Sequence, residues 1–245
     1  MKVLILAAGY GTRLKAIAED TPKPLLLING KPLLNFILDR FKDLPELKSV
    51  VVVTNSKFYG HFERWAKALP FPVPIKVVDD GTAAPEDRLG SIGDIQFVLN
   101  KGLLDDDDTL IIGGDNLFDF NLNAYIIFAR GLGGRISIGL VDIGSLEEAK
   151  KFGVVELSKD KRIISFEEKP EHPRSSLVAM CFYYFPQSTL QSVNNYLTLH
   201  KRVDRAGDYI RWLAENKEVY GFQFMGKWYD IGSVESYYEA QKAFK

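Results

Sequence analysis

Two glycines, a threonine and two cations stand near the start of the chain, in AAGYGTRLKAIAEDTPKPLL at residues 7–26. A turn through Gly9 and Gly11 can aim backbone N–H groups at phosphate oxygens. Arg13 can fork onto two such oxygens, and Lys23, set between prolines, adds a compact charge. The set suits a phosphate chain, and its cations would stabilise a departing pyrophosphate. A bare GxG is weak evidence by itself, because tight turns use it everywhere. A dinucleotide fingerprint would need a third glycine two or three residues on and a helix opening in the loop, where Arg13 stands instead. The lysine-containing phosphate loop, GxxxxGK followed by Ser or Thr, is absent.

Further along, Asp115 closes IIGGDN and Asp230 lies in KWYDIGS. Two carboxylates brought beside phosphates are the hard oxygen ligands that Mg²⁺ takes, although Asp230 alone reads as an ordinary loop acid. FEEKP carries Glu168 and Lys169 ahead of Pro170; in isolation it is a charged strand end and turn. His61, His172 and His200 lie outside all of these stretches and read as surface or structural residues. The single cysteine, Cys181, sits in VAMCFYYF and reads as an inert core thiol of a reduced compartment. The acidic run at 105–108 reads as a solvated turn before a strand.

The elements that must position these side chains follow from the apolar pattern. KVLILAA (2–8), SVVVVTN (49–55) and PIKVVDD (74–80) read as buried strands, as does DTLIIGGDNLF taken as one strand over 108–118. Helices are predicted at 33–44, over FYGHFERWAKAL, and at 91–104. Alternating strands and helices predict an α/β fold, a mostly parallel Rossmann-like sheet with helices on both faces. Ligands of such sheets gather beyond the carboxyl ends of the strands, which lets the glycine turn and Asp115 share a crevice. The second half is richer in short strands, with RISIGLVDI, FGVVELS, RIISFEEKP and SLVAMCFYYFP, and it closes with helices near 205–216 and 234–244. One domain is therefore expected over 1–245. Its halves are 1–118 and the β-rich 119–245.

Composition narrows the classes. There are 31 Lys and Arg against 32 Asp and Glu in 245 residues, with no sustained basic run, so a nucleic-acid surface is not expected. The N-terminal apolar run is too short for a signal peptide and no stretch approaches a membrane span, which predicts a cytoplasmic protein without a membrane partner.

Taken together and in this order, LILAAGYGTRL, TPKPLL, GGDN, FEEKP and WYDIGS resemble the sugar-nucleotide pyrophosphorylases, the sugar-1-phosphate nucleotidyltransferases and in particular the glucose-1-phosphate thymidylyltransferases. The resemblance covers nearly all of the chain. It implies a mainly parallel α/β catalytic domain that joins a nucleoside triphosphate to a sugar 1-phosphate and releases pyrophosphate. It implies Ala8, Gly9, Gly11, Thr12, Arg13, Lys23 and Gly90 as nucleotide contacts, and Gly153, Glu168 and Lys169 as contacts of the sugar phosphate. It makes the half 1–118 mainly nucleotide-binding and the half 119–245 mainly sugar-phosphate-binding. Asp115 and Asp230 become the Mg²⁺ ligands. Arg13, Lys23, Asp115, Lys169 and Asp230 form the catalytic set. Such a reaction needs positioning and charge neutralisation rather than a Ser–His–Asp arrangement.

The match loosens at two places. LKAIAEDTPKP carries Ala16 and Ala18 where the family has proline and threonine. RLGSIGDIQFVL carries Asp94 where alanine is usual, and Asp94 has two open readings, a capping or first-turn acid and a selector of the acceptor. The loop 79–90 is expected beside the base. The leading substrate pair is dTTP or UTP with glucose 1-phosphate; cytidylyl or guanylyl donors and mannose 1-phosphate stay open. The alternatives are a cytidylyltransferase for a non-sugar phosphate such as phosphocholine, and a noncatalytic nucleotide-sensing protein of the same fold. A monofunctional chain is expected, without an acyltransferase β-helix, and a homo-oligomer is left open.

Overall fold

The structure, a computed structural model, describes every residue except 15, 18, 19, 45, 201–205 and 245. In chain order the elements are β1 (Lys2–Leu6), β2 (Leu27–Ile28), β3 (Lys31–Pro32), α1 (Leu33–Asp39), β4 (Ser49–Thr54), α2 (Tyr59–Ala68) and β5 (Ile75–Asp79). There follow α3 (Gly90–Asn100), β6 (Thr109–Gly113), β7 (Asn116–Phe118), α4 (Asn123–Gly131), β8 (Ile136–Asp142) and α5 (Leu146–Ala149). Last come β9 (Gly153–Leu157), β10 (Ile163–Glu168), β11 (Leu177–Phe185), α6 (Ser192–Leu199), α7 (Ala206–Asn216), β12 (Val219–Phe224), β13 (Trp228–Asp230) and α8 (Val234–Ala243). The class is mixed α/β, as expected. Position 205 of the predicted 205–216 helix, and Ala18, lie outside the described residues.

The chain divides into two compact units. Met1–Leu89, Ile112–Leu122 and Gly226–Lys245 make the first, and Gly90–Ile111 with Asn123–Met225 make the second. In the first, β1 pairs parallel with β4, Lys2 opposite Ser49 through Leu6 opposite Val53, and β4 pairs parallel with β5. Val3, Leu4, Ile5, Val50, Val52 and Val53 are fully buried. Burial on both faces is why these strands are continuous apolar runs rather than alternating ones.

Helix α1 buries Leu33, Leu34, Ile37 and Leu38 and stops at Asp39, short of the predicted Leu44. Beyond it Arg40, Phe41 and Leu44 donate to Ile37, Leu38 and Phe41, three residues back in each case. These tighter turns still bury Phe41 and Leu44, since a spacing of three suits 3₁₀ geometry as well as α. Before α1, β2 and β3 form a hairpin around Asn29 and Gly30, whose φ values of 49° and 85° are those of a type I′ turn.

The stretch 108–118 is not one strand. β6 ends at Gly113, the chain turns at Gly114 and Asp115, and β7 leaves to pair antiparallel with β13. Packing against β1 forces the break. A Cβ on Gly114 would stand 2.9 Å from Pro24 Cγ and 3.0 Å from the Leu6 carbonyl oxygen. That same Leu6 carbonyl accepts the Gly114 N–H at 2.8 Å.

In the second unit β9 lies antiparallel to both β10 and β11, and β8 pairs antiparallel with β11 and parallel with β12. This is the expected β-rich portion. The acidic run is more than a solvated turn: the Asp108 carboxylate accepts from the Tyr184 hydroxyl at 2.6 Å and from the Gln187 N–H at 2.9 Å, anchoring the end of β11. Cys181 is half-buried rather than sealed in the core.

Candidate active site

β1 runs out at Leu6 and its last turn is held from below. The Ala7 N–H donates to Val53 at 2.9 Å, and the buried Asn55 side chain donates to the Ala8 carbonyl at 2.9 Å while accepting the Phe58 N–H. This support keeps Ala8 buried and leaves Gly9 exposed, with Gly11 half-exposed. Gly11 needs its glycine, having φ of 61° with Lys23 Cγ 3.5 Å from where a Cβ would sit. Gly9 does not need one for the fold. Its φ is not in the left-handed range, and a Cβ there would meet nothing within 4 Å. What the missing side chain leaves is open space over the backbone. Thr12 and Arg13 follow in a single exposed helical turn.

Tyr10, between the glycines, is tied to the 79–90 loop. Its hydroxyl donates to Thr82 Oγ1 at 3.1 Å, and Thr82 donates through both its N–H and its hydroxyl to Asp80. Burial raises the Tyr10 pKa, and Asp80, Asp87 and Asp79 add to the rise against the Thr82 hydrogen bond, so the hydroxyl stays protonated. The expected neighbour of the base is thus anchored to the glycine turn.

The turn at Gly114 brings Asp115 to the same end of β1. Lys23 Nζ lies 3.3 Å from Asp115 Oδ2, the lysine largely buried and the acid about one-third exposed. Pairing of β7 with β13 sets Asn116 opposite Asp230, and the Ile231 N–H donates to the Asp115 carbonyl at 3.0 Å, so the two acids are backbone neighbours across 115 residues of chain. A Cβ on Gly232 would lie 3.6 and 3.8 Å from the Asp230 carboxylate oxygens and 3.9 Å from Arg13 Nη1. Arg13 and Asp230 therefore face the same bare stretch of backbone. Gly11, Arg13, Lys23, Asp115 and Asp230 converge in the first unit.

Two residues inside the quoted motifs frame this cluster without having been singled out. Asn116 donates to Asp115 Oδ1 and to the Gly113 carbonyl, both at 3.3 Å, and accepts the Trp228 indole N–H at 2.7 Å. The signal for Asn116 was its place directly after the acid in GGDN. Ser233 in WYDIGS explains its own place: it caps α8 through a capping box with Ser236.

In the second unit, β10 ends at Glu168, and Lys169 follows at φ 49° with its N–H on the Phe152 carbonyl. A left-handed lysine directly before proline is doubly disfavoured, and Lys169 is exposed. Gly153 opens β9 with Glu168 as its register partner. Its Cβ would meet Phe166 Cζ at 2.4 Å and Glu168 Oε2 at 3.2 Å, so the bare backbone is required by packing. Burial, then Cys181, then the Glu168 carboxylate push the buried Tyr183 hydroxyl well above its ordinary pKa. Glu168, Lys169 and Gly153 are thus neighbours.

Gly90 begins α3 at φ 75°. Asp94 is the fifth residue of that helix and is buried. The first turn of α3 carries no acid, so the capping or first-turn reading of Asp94 is corrected: the helix starts at Gly90, one residue earlier than predicted, and carries Asp94 into its second turn. Among the histidines, His61 packs edge-on to Phe58 and His200 against Tyr196, while His172 is exposed.

Asp115 and Asp230 are a fitting pair of hard oxygen donors for Mg²⁺, which is commonly held by one or two carboxylates and completes its shell with phosphate and water. Among the described residues no group of three or more His, Cys, Asp or Glu gathers as a metal cage. No helix of the structure is long and apolar enough to cross a membrane.

Comparison with known proteins matches the nucleotidyl transferase family model to residues 2–245. The chain is 28% identical over 243 residues to the bifunctional protein GlmU of Methanocaldococcus jannaschii, covering 99% of this chain and 54% of that protein. It is also 28% identical over 235 residues to GlmU of Methanococcus maripaludis, covering 95% and 51%. The chain thus spans about half the length of these relatives. Among solved structures, a UDP-glucose pyrophosphorylase complexed with UDP-glucose superposes with a TM-score of 0.81 at 23% identity, over 99% of this chain and 97% of that one. With its family model matched from one end to the other and its fold shared, the chain belongs to the nucleotidyl transferase family.

Proposed function

We propose that the protein is a sugar-1-phosphate nucleotidyltransferase: a phosphate oxygen of the acceptor attacks the α-phosphorus of a nucleoside triphosphate, and pyrophosphate leaves. The observation that carries this reading is the convergence of Arg13 and Lys23 with Asp115 and Asp230 beside a glycine turn whose Gly9 faces open space. Two cations serve a leaving pyrophosphate, and two hard acids serve a divalent cation. The first unit takes the triphosphate, with N–H groups of residues 8–12 and the Arg13 fork on its oxygens and Lys23 as a point charge. Asp115 and Asp230 hold Mg²⁺, which when bound supplies neutralisation of the charge that develops on the phosphate oxygens.

The remaining work belongs to the chain's own groups. Lys23, 3.3 Å from Asp115 Oδ2, would supply a compact positive charge to the triphosphate oxygens. Asn116 donates to Asp115 Oδ1 and so holds that carboxylate in place. In the second unit Lys169 holds the acceptor's phosphate, and Glu168 accepts a hydrogen bond from a sugar hydroxyl. The left-handed backbone of Lys169 before Pro170 is strain of the kind that clusters at ligand contacts. No proton needs moving, since the attacking phosphate is already anionic, and positioning with charge stabilisation carries the rate.

dTTP or UTP with glucose 1-phosphate is the proposed substrate pair. The test is pyrophosphate release with Mg²⁺, crossing the common nucleoside triphosphates against glucose, mannose, galactose and glucosamine 1-phosphates and phosphocholine. Release that depends on one sugar phosphate supports the reading and names both substrates. Release with phosphocholine alone moves the protein to another transferase class, and silence throughout, with intact nucleotide binding, leaves a nucleotide-sensing role.

A further inference from the structure

The carboxylate proposed to read the acceptor sits where another residue's side chain would be. A Cβ built on Gly207 would lie 2.0 Å from Glu168 Oε2, 2.6 Å from Cδ and 3.1 Å from Cγ, and these are its three nearest atoms. Glu168 therefore fills the volume that any larger residue at 207 needs. Among the described residues nothing else calls for glycine at 207. Gly207 is the second residue of α7, its φ is outside the left-handed range, and a helix favours alanine over glycine. Gly153, on the other side of the same carboxylate, differs: its Cβ would strike the buried ring of Phe166 at 2.4 Å, so its glycine answers a need of the core.

We propose that Gly207 is a positioning residue for the acceptor site, its bare backbone setting where the Glu168 carboxylate stands and hence which acceptor hydroxyl it meets. The inference rests on the acceptor role of Glu168 given above and adds to it the residue that controls that role. A methyl at 207 confronts the mobile end of a long side chain, not backbone or a ring. The fold can absorb it by displacing Glu168, and the displacement is what the site would feel.

Gly207→Ala should melt at or above the wild-type temperature, because alanine is the better helix former. Its KM for the acceptor should rise by roughly ten- to a hundredfold, the range of one hydrogen bond to a charged group, with KM for the nucleoside triphosphate within about twofold. In a Glu168→Ala background, Gly207→Ala should add nothing to the acceptor KM, since the group it displaces is gone. An unchanged acceptor KM in the single variant, or a further rise in the double variant, overturns the inference. Wild-type turnover in the same assay reads the underlying function separately from the variant ratios. Independently of turnover, a crystal structure of Gly207→Ala should show the Glu168 carboxylate moved by about 1.5 Å or more, enough to lift a 2.0 Å approach to contact distance; a carboxylate left in place overturns the inference even if the wild type proves inert on every substrate.

Discussion

At the scale of single residues, Asp115 is the informative position because it has two jobs. Asp115 neutralises Lys23 at 3.3 Å before any ligand arrives and is the proposed metal donor afterwards. Asp115→Ala should lower turnover by about a hundredfold or more, the scale of losing one transition-state charge stabiliser. Its effect on stability should be about 1–3 kcal/mol, because the largely buried Lys23 loses this charged partner; thermal melts and initial rates check both. Lys169→Ala should raise the acceptor KM while leaving triphosphate binding alone. A change confined to the triphosphate would place Lys169 on the other substrate.

At the scale of elements, the turn between β6 and β7 is the joint on which the acids depend. Gly114→Ala should destabilise the fold by roughly 1–3 kcal/mol, the usual cost of overpacking, since the Leu6 backbone at 3.0 Å cannot swing aside as a side chain would. Denaturant unfolding measures that cost, and turnover should fall with it as Asp115 shifts. The latch on α8 is a second such joint. Tyr237 and Gln241 donate to the Leu27 carbonyl, and Asn29 donates to the carbonyls of Gln241 and Phe244. Asn29→Ala loses both of its bonds and keeps a left-handed φ that alanine tolerates poorly, so about 1–2 kcal/mol should go. Faster hydrogen exchange at the end of α8 would report it.

These same joints mark what could be read from the sequence. β1, β4 and β5, the helices at α2 and α3 and the strands β8 to β11 of the second unit were legible because burial on one or both faces stamps a period on the residues; β12 was not among them. The glycine turn, Arg13, Lys23 and Asp115 stood out because those residue types suit a phosphate chain, whereas Asp230 stood out only through the family resemblance; the structure brings the acids and cations together. The break after Gly113 was not legible, because an apolar run through GGDNLF looks the same whether it continues one ladder or starts another. The type I′ turn was written plainly in Asn29–Gly30 and was passed over among louder signals. Gly207 could not be found at all: its meaning lies in a residue of β10, and nothing local in RAGDYI points there. The early stop of α1 and the second-turn place of Asp94 are errors of a residue or a few at helix ends, where capping decides and periodicity is silent.

At the scale of the whole molecule, several surface carboxylates hold their pKa below the ordinary value. For Asp39, burial works upward and is outweighed by the Lys31 and Lys42 hydrogen bonds. Asp142 is lowered by Ser176 and the Gly144 N–H, and Asp160 by Ser158. Folded pKa values below unfolded ones mean that the associated stability is complete above the unfolded value and lost as pH falls through the folded one. Melting temperature should therefore hold steady near neutrality and drop below about pH 4, and Asp39→Asn should flatten part of that drop. A drop centred near pH 6 would count against these carboxylates as the cause.

The return of residues 226–245 to the first unit also has a bearing on birth order. A ribosome releases the chain from its N-terminus, so the glycine turn, Lys23 and Asp115 emerge well before Asp230. A nascent chain grown as far as Met225 can present cations to a triphosphate but lacks the second carboxylate. On the proposed roles the carboxylate pair is complete only once residues 226–245 have joined the first unit, so a polypeptide halted at Met225 should stay chemically silent in a nucleotide-rich medium.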